Sequence, residues 1–189
     1  MTVAGGAITG RIKRLNWGCG GSGEPGWINS DLKDGPDIEI TADIRDGLPL
    51  QPDSLDYVVS IHALAMISYP DLVPVLSELR RILKPGGVLR LALPDLDRSI
   101  QAYLRRDEQF FLVPDSDVRS YGGKAIVHML WYGYTVTLFT ADFIEELLWS
   151  AGYRDVCHCS FKQTHSTLAP GIVELDNREA ESLFVEAVK

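Results

Sequence analysis

Leu15 to Leu32 read LNWGCGGSGEPGWINSDL, and the fold turns on how this stretch is read. A short strand, RIKRLNW from Arg11 to Trp17, runs into the glycine cluster GCGGSG at 18–23, and a second short strand follows from Trp27 to Leu32. Gly18, Gly20 and Gly23 satisfy G-x-G-x-x-G, the spacing of a dinucleotide-binding loop. Such a loop needs a helix opening at its third glycine and an acid about 20 residues further on for the ribose. Here Glu24-Pro25-Gly26 breaks any helix, and the next strand-end acid, Asp31, stands only 11 residues beyond Gly20. The loop lets a ligand approach the backbone but offers no good seat for pyrophosphate. A plain tight connection between two strands is the bland alternative.

Outward from this loop, residues 38–44 (IEITADI) and 55–63 (LDYVVSIHA) read as further strands. The latter is apolar on both faces, as a central strand of a parallel sheet is. Leu72, Leu76, Leu79 and Leu83 recur at helical spacing, with Pro74 placed in the first turn and Pro85-Gly86-Gly87 as the stop. VLRLAL at 88–93 predicts a fifth strand, 96–106 a helix, and the following stretch to Lys124 irregular chain. Thr140 is the expected N-cap of ADFIEELLWSA, which ends before Gly152. Strands at 153–161 and 182–189 close the chain. Alternating strands and helices imply a doubly wound, mostly parallel α/β sheet.

At 189 residues with 46% apolar content the chain suits one domain with a continuous core, spanning 1–189, with residues 1–10 expected to fray. Lys plus Arg number 18 against 26 Asp plus Glu, and the net charge of -8 has the wrong sign for gripping phosphate backbones. A nucleic-acid partner is therefore disfavoured. No apolar run suits a signal peptide or a spanning helix, so no membrane partner is expected. Three cysteines, an odd number, fit a reducing, cytoplasmic setting.

LNWGCGGSGEPGWINSDL, then TADIRDGLPLQPDSLDYVVSIHAL, then LSELRRILKPGGVLRLALPDL resemble the successive motifs of class I S-adenosylmethionine-dependent methyltransferases. The likeness is to a small stand-alone branch in which a short G-W-I-N-x-D-L segment replaces the first helix. It covers residues 12–97 closely and 140–189 more loosely, through the E-S-L-x-V-E-A-x-K ending. The resemblance implies a seven-stranded Rossmann-like sheet with an antiparallel last strand, a short or missing first helix, and S-adenosylmethionine as cofactor. It also implies an insert at 107–139 covering the acceptor.

On this alignment Trp17, Gly18, Cys19 and Gly20 border the methionine end of the cofactor, and Asp31 and Leu32 the ribose. Asp43 and Ile44 border the adenine, and Ile61 the sulfonium. His62 and His128 are the candidate catalytic bases; His62, with an ordinary pKa near 6.5, suits proton acceptance. The branch commonly carries His-x-Leu-Glu-His where this chain reads His62-Ala63-Leu64-Ala65-Met66, so an acid and a second histidine are missing. Tyr121, Trp131, Tyr132 and Tyr134 are candidates for a lid over the acceptor.

Cys157-His158-Cys159, with His165 nearby, invites a metal reading. Along a strand the two cysteines share a side and His158 takes the other, so those three cannot ligate one ion together and no metal is expected. The leading reading is methyl transfer to a small molecule, a sugar, nucleotide-sugar or secondary metabolite. The alternative is a protein that binds S-adenosylmethionine or S-adenosylhomocysteine without turnover, as an interaction partner. Self-association as a homodimer is a further candidate.

Overall fold

The computed structural model describes residues 12–21, 23–167, 169 and 171–189. The expectation for residues 1–10 lies outside them. Seven strands, β1 (Arg14–Trp17), β2 (Ile28–Asp31), β3 (Ile40–Thr41), β4 (Leu55–Ile61), β5 (Leu83–Pro94), β6 (Arg154–Cys159) and β7 (Ser182–Val188), form one sheet ordered β3-β2-β1-β4-β5-β7-β6. The first five are parallel, and β7 runs antiparallel to both β5 and β6. β1 connects to β2 with no helix among the described residues, as the short G-W-I-N segment implied.

Helix α1 (Tyr69–Ile82) lays Leu72, Val75, Leu76 and Leu79 on the sheet. It starts earlier than the leucine spacing alone placed it, so Pro74 falls beyond the first turn. Pro74 is exposed there, and the carbonyl it leaves without an N–H partner can be hydrated. Leu83 is not on the helix face either: it opens β5 and pairs with Leu55. Helix α4 (Ala141–Ser150) packs beside α1 through Ile144, Leu147 and Leu148. Thr140 holds its N-cap position, but its hydroxyl donates to Asp142 rather than capping a backbone N–H.

The opposite face of the sheet carries Trp27, Tyr57, Val59 and Val88, and it is covered by irregular chain contributing Ala169 and Ile172. Buried charge fastens this cover. Arg90, in the middle of β5 and fully buried, donates to both oxygens of Asp176 (2.8 and 2.6 Å) and to Oε1 of Glu186 on β7 (2.7 Å).

Among the described residues, α2 (Leu96–Arg105) and α3 (Tyr121–Leu130) lie between β5 and α4. The second falls within chain read as a glycine-containing aromatic insert. Its N-cap, Ser120, accepts from the N–H of Gly123 through its hydroxyl, so both glycines sit in the first turn. Ala102, Phe111 and Ala125 form a small core between α2 and α3. The chain then returns to the sheet, where the N–H groups of Val136 and Thr137 donate to the carbonyl of Ala65 (2.9 and 3.1 Å).

Candidate functional site

Chain order reverses between β1 and β4, because β2 and β3 lie to one side and β5 to the other. In open α/β sheets ligands sit outside the carboxyl ends of the strands at this point. A cavity of about 550 Å³ opens there. Gly18, Cys19 and Gly20 border it after β1, Ile61 and His62 after β4, and Asp95, Leu96 and Ser99 after β5. Its remaining wall includes His128 and Trp131 from the insert and Arg178 and Glu181 ahead of β7.

Gly18 and Gly20 both have positive φ, +68° and +75°. A Cβ on Gly18 would lie 2.1 Å from Cβ of Ala63, whereas one on Gly20 would meet nothing within 4 Å. Gly18 therefore lets the loop pack against the turn after β4, and Gly20 leaves room for a ligand. Asp31 holds this loop from outside the cavity: Oδ2 accepts from Gly20 N–H (2.8 Å) and Oδ1 from Lys33 N–H (3.1 Å). Each oxygen keeps a second lone pair. Burial and the charge of Asp31 push the Cys19 thiol up, which makes it a poor nucleophile.

The other expected cofactor residues do not line this cavity. Trp17 and Ile44 are buried in the core, and Leu32 is exposed. The Asp43 carboxylate accepts from the N–H of Arg45, capping a short helical turn, and pairs with the Arg45 guanidinium at 2.5 Å. These hydrogen bonds hold its carboxyl below the usual range.

The two histidines have different surroundings. His62 adopts φ +61°, an uncommon conformation for a non-glycine residue, and its N–H donates to the Ala92 carbonyl (2.8 Å). Its Nε2 lies 2.7 Å from the hydroxyl of Ser182, and Nδ1 has no hydrogen-bond partner among the described residues. Burial, then the charge of Arg178, lowers its pKa to about 4, which corrects the expectation of an ordinary value near 6.5. His128 is buried with both nitrogens engaged: Nδ1 accepts from Leu112 N–H (3.3 Å) and Nε2 lies 2.9 Å from Oε2 of Glu181. A neutral ring bonded in this way has no free lone pair, so His128 is arranged to position Glu181 rather than to take a proton. Burial pushes the Glu181 carboxyl up, but hydrogen bonds from His128 and Arg178 outweigh it and hold the pKa at about 2.

Of the four lid aromatics, Trp131 reaches the cavity, with the Arg178 guanidinium 5.0 Å from its ring centre. Tyr132 and Tyr134 are exposed, and the Tyr121 hydroxyl donates to the Ala102 carbonyl. Glu181 and Ser182 escaped the sequence reading as functional residues. Their only signal was the E-S-L of the terminal motif, which marks a strand and not the histidines it meets.

Residues 16–91 match the family model described as a methyltransferase domain. The chain is 36% identical over 99 residues to the tRNA N(3)-cytidine methyltransferase METTL2 of Mus musculus, covering 52% of this chain and 24% of that protein. The chain thus spans about a quarter of the length of this curated relative. The fold is shared with a SAM-dependent methyltransferase from Archaeoglobus fulgidus (TM-score 0.59, 14% identity, 95% of this chain and 87% of that one). It is also shared with phosphoethanolamine N-methyltransferase 2 of Haemonchus contortus in complex with S-adenosyl-L-methionine (TM-score 0.52, 17% identity, 97% and 50% covered).

The methyltransferase-domain match over residues 16–91 and the shared fold are consistent with a class I S-adenosylmethionine-dependent methyltransferase. The residues present fit S-adenosylmethionine: Gly20 leaves open space at the carboxyl end of β1, and Asp31 retains lone pairs beside it. No helix among the described residues is long and apolar enough to cross a membrane.

Proposed function

We propose that the chain transfers the methyl group of S-adenosylmethionine to a small-molecule oxygen or nitrogen nucleophile, with a sugar, nucleotide-sugar or secondary metabolite as the acceptor class. The observation that carries this reading is the cavity of about 550 Å³ with glycine backbone on one side and His62, Trp131, Arg178 and Glu181 on the other. Sites for small ligands fall in the range of roughly 300–1,000 Å³. When bound, S-adenosylmethionine supplies a methyl group on a positively charged sulfur, open to in-line displacement.

Gly18 and Gly20 let the cofactor lie against the loop backbone, and Asp31 accepts from the ribose hydroxyls. With the Nε2 proton of His62 donated to Ser182, Nδ1 is the lone pair that takes the acceptor's proton. Trp131 and the chain from 107 to 139 cover the acceptor and exclude water. Holding donor and nucleophile in near-attack geometry supplies much of the remaining acceleration.

One finding favours a second reading: the mouse relative is named for methylating a cytidine of tRNA. The net charge of -8 argues against a tRNA acceptor. Product detection by mass spectrometry, with a panel of small acceptors and with tRNA, separates the readings. A methylated small molecule with tRNA unmodified supports the proposal, and methylation of tRNA alone overturns it. Stoichiometric cofactor binding with no product from any acceptor favours a binding protein without turnover.

A further inference from the structure

Cys157 and Cys159 sit two residues apart on β6 and present their sulfurs on one side. His158 points the other way, where its Nε2 meets Oε1 of Glu145 on α4 at 2.7 Å. The chain leaving β6 turns back and carries His165 to the cysteine side. One donor atom from each of Cys157, Cys159 and His165 lies within 4.8 Å of the other two. Strand geometry thus removes His158 from the group, while the following loop supplies a different histidine, which local spacing alone does not reveal.

This loop is fixed to the sheet by buried polar groups. Oε2 of Glu186, on β7, accepts from the N–H of His165 (3.1 Å) and from the hydroxyl of Thr164 (3.0 Å). Its Oε1 accepts from the buried Arg90, which also donates to the Gln163 carbonyl (3.0 Å). The backbone beneath His165 is therefore held by two neighbouring strands, and the three donors are brought together by the tertiary fold.

We propose that Cys157, Cys159 and His165 bind one thiophilic divalent cation of the zinc type, separate from the methyl-transfer cavity and with the fourth position left to water. Two thiolates and an imidazole are the donors such an ion favours. Zinc bonds of about 2.3 Å to sulfur and about 2.0 Å to nitrogen put tetrahedral donors roughly 3.5–3.8 Å apart, so the side chains close in by about 1 Å. The half-buried cysteines and exposed His165 leave a path from solvent. None of the three lines the cavity. The ion would tie β6 to the chain that covers the second face of the sheet and goes on to the cavity wall at Arg178 and Glu181.

Each metal–sulfur bond replaces an S–H bond, so binding releases two thiol protons to solvent and affinity rises with pH.

The test is titration of the reduced, metal-stripped full-length chain with zinc, read by competition with a chromophoric chelator, and with cobalt, read by absorption. The expected result is a single equivalent of either metal, sulfur-to-cobalt charge-transfer bands, and tighter binding at higher pH. Affinity should fall about tenfold or more in His165→Ala and be lost in Cys157→Ser/Cys159→Ser. Cobalt bound without sulfur bands overturns the proposal in the wild-type chain, even if the double variant fails to fold. Absence of stoichiometric binding, or full affinity in a folded double variant, also overturns it.

Discussion

The hydroxyl of Ser182 lies 2.7 Å from Nε2 of His62 across 120 residues of chain. Ser182 opens β7, and the preceding residue, Glu181, meets His128 at 2.9 Å, so one strand entry holds a histidine on each side of the cavity wall. The antiparallel last strand thus acts on the site as well as closing the sheet. Its first residues fix the His62 ring while Nδ1 remains free.

His62→Asn tests the proton-acceptor role with little backbone penalty, because asparagine tolerates the positive φ of this position. Cofactor affinity should change little, while turnover falls by about 10² to 10⁴. Because the ring is neutral down to about pH 4, the wild-type rate should show no acid limb near the ordinary histidine value. A pH–rate profile with its midpoint at the ordinary value would contradict the buried environment, and full activity of the variant would remove His62 from the chemistry.

Acid stability should fall in two stages. His62 has a folded pKa of about 4, below the ordinary 6.5, so the unfolded chain takes up this proton first. Its contribution is complete above about pH 6.5 and lost as pH falls toward 4. Glu181 is held at about 2 against an ordinary 4.5, and its contribution is complete above 4.5 and lost toward 2. Each loss is at most on the order of 3 kcal/mol. Urea unfolding across this range should show His62→Asn flattening the upper stage and Glu181→Gln the lower one. An unchanged profile in both variants would contradict the assignment.

Much of this architecture is legible locally. The apolar run of β4, the leucine spacing of α1 and the strand-like ends at 153–161 and 182–189 all correspond to observed elements. What was missed depends on contacts distant in sequence. Arg90 sits in VLRLAL, an ordinary buried strand by pattern, and its partners Asp176 and Glu186 lie 86 and 96 residues away. Helix α3 was obscured by Gly122 and Gly123, whose poor helix propensity matters less beside the Ser120 cap. Of the eleven expected site residues, Gly18, Cys19, Gly20, Ile61, His62 and His128 line the cavity. The rest stand behind or away from it, because strand spacing predicts position along the chain better than the direction of a side chain.

Asp31→Ala should weaken S-adenosylmethionine binding by roughly 1.5–3 kcal/mol, the range for losing hydrogen bonds to a charged group. It also removes the acceptor for Gly20 N–H, so loop order and ribose contact fall together. Asp31→Asn separates them, because its amide oxygen can still accept one backbone N–H. Calorimetry should find the asparagine variant intermediate between wild type and alanine. Unchanged binding in both, with a lower melting temperature, would make Asp31 purely structural.

Gly18 and Gly20 share a left-handed backbone but face different surroundings, so equal substitutions should have unequal effects. Gly18→Ala drives Cβ against Cβ of Ala63 at 2.1 Å, next to His62. A left-handed alanine costs about 1–2 kcal/mol and overpacking about 1–3 more, so stability should fall by roughly 2–5 kcal/mol. Adding Ala63→Gly should recover the overpacking part and leave the backbone part. Gly20→Ala meets nothing within 4 Å and should lose only the backbone part, yet its methyl group enters the space left for ligand. Urea unfolding paired with calorimetry should therefore find Gly18→Ala mainly a stability variant and Gly20→Ala mainly a binding variant. Full cofactor affinity in Gly20→Ala would mean that the cofactor does not lie against this glycine, and the fit argued for the loop would fail there.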